Sequence, residues 1–158
     1  VILVLNTGSS SVKVALFDEQ ANGIAQGMVS GIGGAGQLRL GDQRSDVRTA
    51  DHAHAIDLML AALAEGGHSM ADFGAVAHRV VHGGEGLRAP CRITPQTRAQ
   101  IAAAVPLAPL HNPPALAGID AFAIRNPALP QFASFDTAFH AGQPKVATTY
   151  ALPAQLRA

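Results

Sequence analysis

The chain opens on an unbroken apolar run, Val1 to Leu5, followed by a cluster of turn-forming residues, Asn6-Thr7-Gly8-Ser9-Ser10-Ser11. Alternation follows, with Val12, Val14 and Leu16 on one side and Lys13, Ala15 and Phe17 on the other. A run that is apolar at every position reads as a strand buried on both faces in the middle of a sheet, and a period of two reads as a strand with one face inward. Together they predict a β-hairpin with a polar tip, in which Lys13 stands beside the Gly/Ser turn on the side away from the valines. Gly23 to Val29 reads as a third strand. The glycine-rich stretch from Gly31 to Gly41 predicts a loop and a short edge strand around Leu38 to Leu40, and Gln43 to Thr49 a weaker strand.

The period changes after Asp51, a predicted N-cap: Ile56, Met59, Leu60 and Leu63 recur at i, i+3, i+4 and i+7, one apolar helical face, until Gly66-Gly67 ends the run. Ala75 to Val81 reads as a strand leading into His82-Gly83-Gly84. Thr94-Pro95 is an N-cap and first-position pair for a helix through about Val105. Asn112-Pro113 starts another helix with Leu116, Ile119 and Phe122 inward, closed by Asn126-Pro127, and Gln131 to Phe135 is a short strand. Periodic helices flank Pro106 to Pro114 directly, so this segment reads as an ordered connector, and there is no internal repeat. Strands first, then helices alternating with strands, predict an α/β fold with a mixed sheet covered by helices.

Composition narrows the partners. At 158 residues and 48% hydrophobic, the chain is long enough for one domain with a real core. Lysine plus arginine equal aspartate plus glutamate at 11 each, so no net field draws the protein to nucleic acid or to an acidic membrane surface, which points to small molecules or protein. The single cysteine, Cys91, cannot form an internal disulfide, which fits a reducing, cytoplasmic setting. Val1 to Leu5 is far short of the ~20 residues a membrane span needs, and no export signal is visible. A start on Val1 without methionine and an end on Gln155-Leu156-Arg157-Ala158 with no closing element suggest a fragment of a longer protein.

Three segments carry candidate chemistry. The hairpin Asn6 to Lys13 offers what a polyphosphate needs: small residues that allow close backbone approach, hydroxyl and N–H donors, and a cation in Lys13. Gly/Ser-rich tips are also ordinary hairpin turns. The segment is not a P-loop, because the Gly-x4-Gly-Lys spacing and a following helix are missing. His78-Arg79-Val80-Val81-His82-Gly83-Gly84-Glu85 concentrates ionisable groups and glycines around a strand end, where Arg79 can grip a carboxylate or phosphoryl group through two parallel N–H bonds. His78 and His82 are left unassigned, satisfaction of a backbone group being favoured over a ligand role. His52 and His54 read as solvated, since helical metal ligands prefer i, i+4. Asp136 follows a short strand, where open α/β sheets gather ligands, although an aspartate there can equally cap a turn.

Taken in order, the hairpin, the Arg79 segment, Ala108-Pro109-Leu110-His111-Asn112-Pro113-Pro114 and Phe135-Asp136-Thr137-Ala138-Phe139-His140 resemble the acetate kinase family, which includes propionate and butyrate kinases. The resemblance runs from Val1 to about Leu152 and covers the first two-fifths of such an enzyme. It implies the two-lobed architecture shared by sugar kinases, Hsp70 and actin (ribonuclease H-like), of which residues 1–158 would be the amino-terminal lobe, with the second lobe absent. It further implies ATP as co-substrate with Mg²⁺ held in part by Asn6. Ser9, Ser11 and Lys13 would form the phosphate hairpin, Arg79 would sit on the substrate carboxylate and the transferring phosphoryl, and Asp136 would be an acid/base or positioning residue. Val81 and Leu110 match acyl-pocket positions and are expected to be buried beside Arg79. The complete enzyme would be a homodimer.

The implied reaction places the γ-phosphoryl group of ATP on a short carboxylic acid, acetate first among them. A carboxylic acid with a pKa of ~4 is already ionised at pH 7, so Asp136 is not expected to act as a true base but to orient Mg²⁺-bound water or Arg79. The competing reading is a noncatalytic lobe serving as a dimerisation or binding module. An Hsp70- or actin-like ATPase shares the hairpin but leaves the Arg79 and Asp136 segments without a reason.

Overall fold

The computed structural model of the chain describes residues 1–157. Among the described residues, eight strands form one mixed sheet in the order β5-β4-β3-β2-β1-β6-β8-β7. These are β1 (Ile2–Thr7), β2 (Ser11–Phe17), β3 (Gly23–Ser30), β4 (Ala35–Leu40), β5 (Gln43–Arg48), β6 (Ala75–Val80), β7 (Cys91–Arg92) and β8 (Gln131–Phe135). The first five are joined as an antiparallel meander, whereas β6 lies parallel to β1 and β8 parallel to β6. The helices α1 (His52–Glu65), α2 (Pro95–Ala103) and α3 (Asn112–Arg125) supply the crossovers that parallel pairing requires.

The caps read from sequence are in place. Asp51 Oδ1 accepts from the His54 N–H at 2.9 Å, and Thr94 Oγ1 accepts from the Thr97 N–H at 3.2 Å. One face of the sheet is the core: Leu3, Leu5, Val12, Val14, Leu16, Val29 and Val76 pack against Ile56, Met59 and Leu63 of α1 and Ala121 and Phe122 of α3. Close packing of α3 on β1 depends on Gly118, where a Cβ would come within 2.6 Å of Thr7 Oγ1 and 3.0 Å of Leu5 Cδ2. Arg125, in the last turn of α3, donates from Nε to Asp57 Oδ1 at 2.6 Å and ties that helix to α1.

Several sequence expectations are corrected. The first strand extends through Asn6 and Thr7, which pair with Lys13 and Val12, so the turn shrinks to Gly8-Ser9-Ser10, closed by the Gly8 N–H donating to Ser11 O at 2.8 Å. β1 is central as expected but is buried on one face only: Leu3, Leu5 and Thr7 are covered, while Ile2 is exposed and Val4 and Asn6 are half-buried. The reason is that α1 and α3 lie against the same side and α2 packs on α3, so no described helix covers the other side. The strand around Leu38 is longer than expected, Ala35–Leu40, and the sheet edge belongs to β5. α2 stops at Ala103 and passes into a 3₁₀ turn, Val105–Leu107. The two-residue strand β7 carries no pattern that sequence reading could detect.

Candidate active site

The uncovered face of the sheet holds the candidate chemistry, and strand register explains why. Lys13 faces Asn6 across the β1–β2 ladder. The β1–β6 register pairs Leu5 with His78 and so carries Asn6 alongside Arg79, which in turn pairs with Ser134 of β8. Because side chains alternate along each strand, Lys13, Asn6, Arg79 and Ser134 form a row across four neighbouring strands on one face. At a strand spacing of ~4.8 Å, the backbone positions of Lys13 and Arg79 lie about 10 Å apart with Asn6 between them. Neither Lys13 nor the Asn6 side chain has an ion-pair or hydrogen-bond partner among the described residues, so both are available to a ligand.

Arg79 is held from beyond the strand. Asp136, the first residue of a 3₁₀ turn Asp136–His140 that follows β8, accepts from Arg79 Nε at 2.9 Å and from Nη2 at 2.7 Å. This fork-to-fork contact fixes the guanidinium plane. Asp136 holds the guanidinium pKa above its ordinary value, mainly through these hydrogen bonds. Two of the five N–H donors are engaged, which leaves the Nη1 edge and one Nη2 hydrogen free for an anion.

The turn after β6 is pinned by residues that the sequence reading did not single out. Asn112, fully buried at the start of α3, donates to His82 O at 2.9 Å and to Ile101 O at 3.3 Å and accepts from the His82 N–H at 3.2 Å. Thr137 Oγ1 accepts from the Gly83 N–H at 3.2 Å, and its own N–H donates to Val81 O at 3.3 Å. Gly84 takes a φ of +67°, which explains the glycine there, and its N–H donates to His82 Nδ1 at 2.9 Å, so His82 satisfies a backbone group as expected. A buried asparagine beside a proline pair was visible in sequence only as a helix start, and nothing local revealed its partners.

Other expectations change. His78 does not serve a backbone group: it is 2% exposed in the core, its Nε2 lies 2.7 Å from the Gln131 side-chain amide, and its Nδ1 has no partner among the described residues. His52 is not simply solvated, since its Nε2 donates to Gly8 O at 2.8 Å. Leu110 is 72% exposed and Val81 half-buried, so the buried pair expected beside Arg79 is not present in these residues; the Pro109–His111 turn stands proud of α3 with no described element over it. Ser9 is exposed and Ser11 half-buried at the hairpin tip, consistent with hydroxyls open to a ligand. A separate cavity of about 390 Å³, lined in part by Arg92, Arg98, Asp120 and Gln131, lies at the opposite end of β8 from Asp136, so the candidate site is the open sheet face and not this cavity.

No cluster of three or more His, Cys, Asp or Glu side chains suited to a metal occurs among the described residues. The donor set still suits Mg²⁺ arriving on a polyphosphate, because that ion keeps several waters and takes only one or two protein oxygens. The free Asn6 amide oxygen is such a donor.

The model of the acetokinase family matches residues 1–158. The acetate kinase of Heliobacterium modesticaldum is 41% identical over 169 residues, covering 100% of this chain and 43% of that protein. The acetate kinase of Deinococcus deserti is 46% identical over 157 residues, covering 96% of this chain and 39% of that protein. Among solved structures, Porphyromonas gingivalis acetate kinase superposes with a TM-score of 0.88 at 35% identity over 98% of this chain and 42% of that one. A propionate kinase from Francisella tularensis superposes with a TM-score of 0.87 at 34% identity, covering 98% and 41%. The chain thus spans about two-fifths of the length of the relatives it matches. Matched by that family's model over its whole length and superposing on two such kinases, this chain belongs to the acetokinase family.

Proposed function

We propose that residues 1–158 are the amino-terminal lobe of a kinase that transfers the γ-phosphoryl group of ATP to a short-chain carboxylate, acetate above others, and that this lobe carries the acceptor and phosphoryl side of the site. The observation that carries the reading is the row of Lys13, Asn6 and Arg79 on adjacent strands, with Arg79 oriented by Asp136. Phosphoryl transfer demands positioning and charge neutralisation more than covalent help. In the forward reaction a carboxylate oxygen attacks the γ-phosphorus in line, the new O–P bond forms as the bond to the β-bridging oxygen breaks, and ADP leaves with the electron pair. The nucleophile is ionised at neutral pH, so no base is needed.

Each residue then has a part. Lys13 and the Ser9 and Ser11 hydroxyls meet the phosphates. The free edge of Arg79 spans the acceptor carboxylate and the equatorial oxygens, and Asp136 positions Arg79, the role that the two-point contact supports. Val81, and Leu110 once covered by other parts of the enzyme, would face the acyl group. Mg²⁺ bound by the nucleotide, with Asn6 contributing an oxygen, supplies charge neutralisation when present. In the complete enzyme this lobe would work in the cytoplasm as part of a homodimer.

The alternative, a noncatalytic binding or dimerisation module, draws support from the two-fifths coverage and from the uncovered sheet face. Hydroxylamine trapping separates the two. The chain is mixed with ATP, Mg²⁺ and acetate beside an Arg79→Ala control, and acyl hydroxamate is measured. Because this lobe would hold only one side of the site, the chain alone is expected to give none, while the gene product extended to the relatives' length gives product that Arg79→Ala abolishes. Failure of the extended protein to form acyl phosphate would refute the kinase reading.

A further inference from the structure

The hairpin tip between β1 and β2 has an asymmetry that the phosphate reading leaves unexplained. The carbonyl of Gly8 accepts from His52 Nε2 at 2.8 Å, and that of Ser10 accepts from the Ile32 N–H at 3.3 Å. The N–H groups of Ser9 and Ser10, in contrast, have no acceptor among the described residues, and both residues are exposed. The carbonyls on either side of Ser9 are thus occupied by the protein, while two successive exposed N–H groups remain free to donate to an anion.

We infer that His52 is a positioning residue of this hairpin: its Nε2–H, donated from the first turn of α1, fixes the Gly8 carbonyl and so keeps the Ser9 and Ser10 N–H groups presented to a phosphate. A carbonyl oxygen only accepts, so Nε2 carries the proton, and the contact joins residues 44 apart in sequence. His52 is well placed to do this because Asp51 caps α1, which sets the direction in which the following side chain leaves the helix. This role rests on the reading of the hairpin as a phosphate site.

The test titrates inorganic pyrophosphate into the isotopically labelled chain and follows the Gly8, Ser9 and Ser10 amides by NMR, for the wild type and for His52→Gln, His52→Asn and His52→Ala. Glutamine places an amide N–H near the Nε2 position, whereas asparagine is too short to reach it. The wild type and His52→Gln are expected to bind within about threefold of each other, and His52→Asn and His52→Ala about tenfold more weakly, the scale of one lost hydrogen bond. Thermal unfolding checks that every variant folds, and the comparison of glutamine with asparagine stands even where alanine does not. Equal binding by all variants, or equal weakening of glutamine and asparagine, overturns the role of His52 while leaving the phosphate site intact. A wild-type hairpin that does not respond to pyrophosphate overturns the phosphate reading and this role with it.

Discussion

His78 should make the fold sensitive to mild acid. Its imidazole lies in the core beside Phe122, with ring centroids 6.0 Å apart in an edge arrangement. Burial pushes its pKa from 6.5 down to about 4. Turning the Gln131 amide lets its NH₂ group donate to His78 Nε2 at 2.7 Å and to Ile119 O at 3.2 Å while its oxygen accepts from the Ala123 N–H at 3.2 Å. In that orientation Nε2 is an acceptor, so protonation also breaks a hydrogen bond, which acts in the same direction as burial. Since the folded pKa lies below the unfolded one, the unfolded chain binds more protons between about pH 4 and 6.5. Stability therefore rises with pH across this window, and the loss is complete below the folded value. Linkage gives a loss of about 2 kcal/mol between pH 7 and pH 5, approaching about 3 kcal/mol at pH 4. The assay is urea unfolding at pH 7 and pH 5 for the wild type and for His78→Leu, a substitution of similar bulk that cannot ionise. Other titrating groups act in both proteins, so the difference between the two pH responses isolates His78. A His78→Leu protein that loses as much stability between pH 7 and pH 5 as the wild type refutes the reasoning.

Two further substitutions probe the packing under the site and the Arg79 clamp. Gly118→Ala drives a methyl group into Thr7 and Leu5 beneath β1, so despite a gain of about 1 kcal/mol in helix propensity the net effect should be a destabilisation of about 1 to 2 kcal/mol, measured by denaturant unfolding; an unchanged or raised midpoint would show that α3 can shift. Asp136→Asn removes an ion pair whose side chains are 52% and 39% exposed, so stability should change by less than about 1 kcal/mol, while acyl phosphate formation by the protein extended to the relatives' length should fall by about tenfold or more and resist added Mg²⁺. Recovery of turnover with added Mg²⁺ would instead assign Asp136 to the metal.

Local chemistry was enough to locate much of this. Asp51 and Thr94 are capping residues whose side chains close their own helices within three residues, so no distant contact was needed to find α1 and α2. Alternation in Val12 to Phe17 placed Lys13 on the face opposite the core, because period 2 is a property of the strand backbone itself. Arg79 and Asp136 were legible as strand-end ionisable residues, and the order of four motifs pointed to the family that the whole-length match supports.

Pairing across long sequence separations was decided only in three dimensions. Register alone set Asn6 between Lys13 and Arg79, and Arg79 meets Asp136 across 57 positions. The contacts of His52 with Gly8, of Asn112 with His82 and of His78 with Gln131 involve residues 44, 30 and 53 apart, and no local pattern records such distances. The apolar start of the chain suggested a strand buried on both sides, yet apolar composition states only what a face can bury. Which face is buried depends on where α1 and α3 come to rest, and they rest on the same side, leaving the row of candidate site residues open on the other.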